Sequence, residues 1–159
     1  TIYYMSLIRV TKEFCFEMAH ALLGHDGSCK NIHGHSYRLC VTLKGKLIID
    51  PLSPKIGMVV DFSDIKKLVN DEIIQPFDHA LILNKSTVES IYKGLHEQKL
   101  ILVDFQPTCE NLLIYISKKI KNSLPADLVL HCLLLNETST SYAEWYADDN
   151  ESISVQNHS

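Results

Sequence analysis

Thirteen residues, His25 to Tyr37 ("HDGSCKNIHGHSY"), hold three histidines and one cysteine, ligand types that suit zinc. In an extended segment, residues two apart project from the same face, so His33 and His35 aim both imidazoles at one point across Gly34. His20, which ends the run "FEMAH", supplies a third nitrogen if its strand pairs with theirs. Three histidines leave a tetrahedral ion one open position, the arrangement of catalytic sites. His25 and Cys29 are rival ligands, and a four-ligand set containing Cys29 is a closed structural clip instead. Spacing leaves both arrangements open. Asp78-His79 follows the first predicted helix, where adjacent residues of these types ordinarily mark a polar turn. Glu137 follows the apolar run Val129 to Leu135, and a carboxylate at the end of a buried strand needs a partner.

These residues require a scaffold of strands and helices. Tyr37 to Lys44 alternate, with Tyr37, Leu39, Val41 and Leu43 on one face, which is the pattern of a half-buried strand. Leu7 to Ala19 reads as its partner, and "GMVVDF" as a short third extended piece. Ser63 caps a helix carrying Ile65, Leu68, Val69 and Ile73, and Pro76 closes it. A second helix follows Pro107-Thr108, with Thr108 as its cap, Glu110 as a first-turn acid, and Leu112, Leu113, Ile116 and Ile120 at helical spacing. "LVLHCLLLNET" and "SYAEWYA" are the last strands. The order strand, strand, helix, helix, strand, strand predicts a single α+β domain over 1–147 with a mainly antiparallel sheet. A polar tail, 148–159, is expected to be disordered.

At 159 residues the chain is long enough to bury a core without needing disulfides or a metal to stay folded. A net charge of -4 offers no basic stripe for nucleic acid, and no run reaches the ~18 apolar residues of a membrane helix. Small-molecule or protein partners come first. The five cysteines are scattered, without CxxC spacing, which fits a reducing cytoplasm; Cys15, Cys40, Cys109 and Cys132 read as small packing residues. "TIYYMSLIRV" lacks the features of a signal peptide.

In order along the chain, "FEMAH", "CKNIHGH", "GMVVDF", "DHALIL", "PTCEN" and "NETSTSYAEW" resemble the 6-pyruvoyl-tetrahydropterin synthase and 6-carboxytetrahydropterin synthase family, nearest its bacterial 6-carboxy branch. The resemblance implies His20, His33 and His35 as zinc ligands, with Cys29 as the catalytic thiol beside the metal and Asp78-His79 as its proton relay. It gives Glu137 the role of pterin anchor, accepting the ring's 2-amino group and N3-H as a bidentate pair, with Thr138 in support. Thr108 and Glu110 lie near the pterin pocket in such proteins, although Cys109 stands where serine is usual. His25 receives no role, and His96 and His131 match no family site. The implied fold is the tunnelling fold, a four-stranded antiparallel sheet with two helices on one face, assembled as a trimer or a stacked hexamer with active sites between subunits. The implied substrate is 7,8-dihydroneopterin triphosphate, converted without a redox cofactor to 6-carboxytetrahydropterin, acetaldehyde and triphosphate for 7-deazaguanine (queuosine) synthesis. A pyruvoyl product and a zinc-bearing pterin-binding module without turnover are the alternatives. The sequence departs from many members in a longer stretch between Asn84 and Phe105, to which the resemblance assigns no function.

Overall fold

The alternating pattern becomes a long antiparallel pair in the computed structural model, which describes residues 6–87, 94–95 and 97–151. β1 (Leu7–His20) and β2 (His33–Lys46) pair along their whole length, from Leu7 opposite Lys46 to His20 opposite His33. Phe14, Phe16 and Met18 of β1 and Tyr37, Leu39, Val41 and Leu43 of β2 all face the core. Their neighbours face outward and form polar cross-strand pairs, including Thr11 with Thr42 (2.8 Å between hydroxyls) and Ser36 donating to Glu17 at 2.8 Å. Burying each large apolar side chain contributes roughly 1.5–3 kcal/mol, so a one-residue slip that exchanged the two faces would forfeit several such terms.

β5 (Val129–Asn136) adds antiparallel to β2, and β6 (Tyr142–Tyr146) adds to β5. On the other side, β3 (Ala80–Asn84) lies parallel to β1, and β4 (Leu100–Val103) lies parallel to β3. The sheet therefore has six strands in the order β4-β3-β1-β2-β5-β6 and is mixed. This corrects the expected four-stranded antiparallel sheet. The α+β class stands, but "ALILN" and "LILV" are short unbroken apolar runs, whose periodicity does not distinguish a strand from other buried segments. "GMVVDF" is a second correction. It joins no strand and is held by Met58 accepting from Ile48 N-H and by Gly57 N-H donating to Ile48 O, both at 2.8 Å.

α1 (Phe62–Val69) is capped by Asp61, not Ser63, because the Asp61 carboxylate accepts both the Ser63 N-H and its hydroxyl. Pro76 does not end the helix at once. The chain widens into a π-helical turn, Asn70–Ile74, in which Gln75 N-H reaches Asn70 O, and then makes a last turn, α2 (Gln75–Phe77). Across the same sheet face packs α3 (Cys109–Ser123), capped by the Thr108 hydroxyl accepting from Asn111 N-H at 3.2 Å. Ile65, Val69, Ile73 and Phe77 from one side meet Leu112, Leu113, Ile116 and Ile120 from the other over the sheet. Within the tail, Ala147–Asn150 forms a short helical turn, α4; residues 152–159 lie outside the described residues. Among the described residues no helix is long and apolar enough to cross a membrane.

Gly45 marks a close approach near the end of β2. A Cβ there would lie 2.9 Å from Val59 Cγ1 and 3.1 Å from Leu128 Cδ2, and Val59 is itself buried. Gly45→Ala is expected to lower stability by ~1–3 kcal/mol, the range for overpacking a filled site. Urea unfolding measures this, and an unchanged midpoint would mean that Val59 and Leu128 yield without strain.

Candidate metal centre

The register that packs the core also builds a three-histidine cluster. His20 is the last residue of β1, and His33, directly opposite, is the first of β2. His35 follows two residues on, so all three imidazoles share the core face at the base of the 21–32 loop. Their ligating nitrogens lie within 4.8 Å of one another. Two of the rings are fixed by backbone carbonyls: His20 Nδ1 donates to Pro107 O and His33 Nδ1 to Asn31 O, each at 2.8 Å. A carbonyl only accepts, so the proton sits on each Nδ1 and each Nε2 presents a lone pair.

The His20 and His33 Nε2 atoms then face each other at 3.1 Å. Two lone pairs at that distance repel unless a cation or a proton lies between them. His35 Nε2 is buried without a hydrogen-bond partner, an arrangement that costs about 1–3 kcal/mol if nothing binds there. Burial pushes the His20 imidazole below its ordinary range, against the opposing effects of the Pro107 bond and the Glu137 charge, so its neutral, ligating form is favoured. A divalent ion would satisfy all three nitrogens, and the donor set fits zinc. Among the described residues neither Cys29 nor His25 joins this group. His25 Nδ1 instead accepts its own loop's Gly27 N-H at 2.8 Å. Cys29 occupies a short 3-10 turn, Ser28–Lys30, half-buried, with its carbonyl accepting Leu22 N-H at 2.8 Å.

Glu137 reaches the cluster from the end of β5. Its Oε1 lies 3.6 Å from His20 Nε2 and 3.9 Å from His35 Nε2, and it accepts the Tyr37 hydroxyl at 3.4 Å. Thr138 braces this turn, its hydroxyl accepting the N-H groups of Thr140 and Ser141. Thr108 spends its hydroxyl on the α3 cap, Glu110 is exposed in the first turn, and the adjacent Pro107 carbonyl is what touches the cluster. Cys109 donates to Leu135 O, and burial pushes its thiol up to about 11, as befits a packing residue.

Asp78 and His79 follow α2 and flank β1. Asp78 Oδ2 is 3.0 Å from His79 Nδ1, and Asp78 Oδ1 accepts Glu17 N-H at 2.9 Å. That backbone bond, followed by the His79 contact, holds the Asp78 carboxyl below the usual carboxylate range. His79 is the one non-glycine residue with positive φ (59°) among the described residues, and its side chain is 76% exposed. A groove of about 330 Å³ runs past Glu17, Gly34, His35, Ser36 and His79. The pair's hydrogen bonds run to Glu17, Ile74 and Lys99, not to the histidine cluster.

Tyr37, Glu17 and Lys99 were not singled out from the sequence as site residues. Tyr37 carried a signal, because the alternation that puts His33 and His35 on one face puts Tyr37 there too. Glu17, Pro107 and Asn31 act through their backbones, which side-chain type does not reveal. His131 is buried at the β5 bulge against Tyr146; His96 lies outside the described residues.

A family model described as 6-pyruvoyl tetrahydropterin synthase matches residues 9–148. The chain is 37% identical over 144 residues to the 6-carboxy-5,6,7,8-tetrahydropterin synthase of Haemophilus influenzae, an alignment covering 87% of this chain and 99% of the relative. It is 32% identical to the protein of the same name from Rickettsia typhi, with the same coverage. The solved structure of Caenorhabditis elegans 6-pyruvoyl tetrahydropterin synthase superposes with a TM-score of 0.64 at 25% identity, covering 91% of this chain and 98% of that one.

Two outcomes are expected from this geometry. The chain should bind ~1 zinc, and His33→Ala or His35→Ala should weaken binding by more than the ~10–100-fold lost with a residue that only orients a ligand. Competition with a chromophoric chelator measures this, and full occupancy in either variant would break the ligand assignment. His79→Gly should leave stability unchanged or raise it by up to ~1 kcal/mol, because glycine adopts positive φ without the penalty that histidine carries. A clear loss in urea unfolding would show that the exposed Asp78 contact outweighs the strain.

Proposed function

Because the chain belongs to the 6-pyruvoyl tetrahydropterin synthase family and is an enzyme of its lyase class, we propose that it is a zinc-dependent 6-carboxy-5,6,7,8-tetrahydropterin synthase. It converts 7,8-dihydroneopterin triphosphate and one water to 6-carboxytetrahydropterin, acetaldehyde and triphosphate. The observation that carries this reading is the convergence of three imidazole nitrogens beside one carboxylate, Glu137, that reaches the same point from another strand. A zinc ion on His20, His33 and His35 would supply Lewis acidity toward the substrate's side-chain hydroxyls.

The chain's own groups do the rest. Glu137 offers two acceptor oxygens to the parallel N-H donors of the pterin ring, with the Tyr37 hydroxyl steadying one of them. Cys29, on the loop between the ligand-bearing strands, exchanges protons with the side-chain carbons. Asp78 fixes the proton of His79 on Nδ1, which leaves Nε2 to take or deliver a proton. We place the complete site between subunits of a homo-oligomer, a trimer or hexamer, because among the described residues the hydrogen bonds that hold the dyad run to Glu17, Ile74 and Lys99 and none joins it to the cluster. Thr138 supports the anchor through its turn, while Thr108 and Glu110 serve α3. All five cysteines are free, which fits a cytoplasmic enzyme.

The carboxy product is favoured by the gap of three residues between Cys29 and His33. Each extra residue would extend that loop by up to ~3.5 Å, enough to change which carbon the thiol reaches. Incubation of the zinc-loaded protein with 7,8-dihydroneopterin triphosphate should release acetaldehyde together with triphosphate. Cys29→Ala should keep its zinc and lose turnover by ~100-fold or more, as for a positioned proton-transfer group. Triphosphate without acetaldehyde would leave the pyruvoyl-forming reaction, and neither product would leave a binding module.

A further inference from the structure

We propose that Lys99 is a positioning residue for the Asp78-His79 pair, an ammonium latch that holds the peptide between them in the orientation that aims the imidazole. This rests on the reading of the pair as a proton relay. Lys99 lies in the stretch between Asn84 and Phe105, and its carbonyl accepts Leu81 N-H at 2.9 Å, two residues beyond His79. From there its Nζ donates to Gln75 O at 2.6 Å and to Asp78 O at 2.7 Å. Gln75 opens and Asp78 caps the three-residue turn α2, so both carbonyls lie at the C-terminal end of the continuous helical run from Phe62, where the backbone's partial negative charge favours a cation.

The backbone angles show why the latch matters. Asp78 (φ -59°, ψ 126°) has the angles of the first central residue of a type II turn, and His79 (φ 59°) has the positive φ that the second one requires. That turn takes glycine at its second central position by preference, because a Cβ is strained at positive φ. Rotating the Asp78-His79 peptide by about half a turn gives the type I form, in which both φ values are negative and histidine is at ease. The rotation swings the Asp78 carbonyl and the His79 N-H to opposite sides. Both ends of this peptide are held: the carbonyl by Lys99, and the N-H by Glu17 O at 2.6 Å.

Asp78 has no slack left to compensate. Its N-H closes on Ile74 O at 2.8 Å and its Oδ1 on Glu17 N-H, leaving Oδ2 for His79. Of these restraints, the Lys99 contact alone comes from a side chain other than the pair's own, and so it alone can be removed without altering the pair itself.

The test compares Lys99→Met, Lys99→Arg and Asp78→Asn in the zinc-loaded enzyme with 7,8-dihydroneopterin triphosphate. Lys99→Met should lower kcat by roughly 100-fold, the scale of a misplaced catalytic group, with KM and zinc content within about twofold of wild type. Its crystal structure should show the Asp78-His79 peptide rotated and φ of His79 negative. Lys99→Arg, which keeps a donor at the helix end, should restore at least a tenth of the rate. Asp78→Asn with undiminished turnover would overturn the proton-relay reading and the role of Lys99 with it. A crippled Asp78→Asn beside an unimpaired Lys99→Met, or a Lys99→Met whose loss follows zinc release, would overturn the role of Lys99 alone.

Discussion

The pairing of His20 with His33 is the constraint on which the rest of the site depends. It is the last step of a register that runs over all of β1 and β2, and the core sets that register. Phe14 opposite Leu39 and Phe16 opposite Tyr37 must point at the helices for the core to form, and the same alternation turns His20, His33 and His35 inward. A histidine cluster built this way cannot drift independently of the fold. A shift of one residue would bury Thr11 and Glu13 while pointing the imidazoles at solvent.

The cluster rests on apolar rings and is tied by polar contacts to backbone carbonyls and to Glu137. Tyr37 has ring contacts with both His20 and His35, and Phe16 stacks on Tyr37 with centroids 5.3 Å apart, so the imidazoles rest on packed aromatic rings. Carbonyls of Pro107 and Asn31 then fix the rotation of two rings. This division leaves the nitrogens converging at close range with their lone pairs unpaired. Such an arrangement is unfavourable alone, and an ion bound there would relieve a conflict the fold imposes.

His79 shows a similar conflict in the backbone. The residue after a helix end that turns left-handed is commonly glycine, and a histidine there carries a conformational cost of about 1–2 kcal/mol. That cost persists only because neighbouring elements over-determine the geometry, here β1 through Glu17 and the approach to β4 through Lys99. The parallel strands β3 and β4, which enlarge the sheet, bring that cation beside the turn.

Elements with strong periodicity, and residues whose chemistry is local, could be read from the chain alone. The β1–β2 pair, the two helices, and the histidines at i and i+2 were legible because strand alternation and helical spacing are properties of the chain alone. The resemblance of six short motifs added the family and a role for Glu137. Arrangements set by contacts between distant segments emerged with the three-dimensional fold. "ALILN" and "LILV" became parallel strands because β1 offered an unpaired edge, which no local pattern encodes. Asp61 displaced Ser63 as the cap because its carboxylate accepts both the N-H and the hydroxyl of Ser63. Pro76 was absorbed by a π-helical turn that a propensity rule does not anticipate. Lys99, far along the chain from Asp78, met that residue's carbonyl only after β3 and β4 had paired, because the contact is made to backbone that every residue possesses and no side-chain motif records.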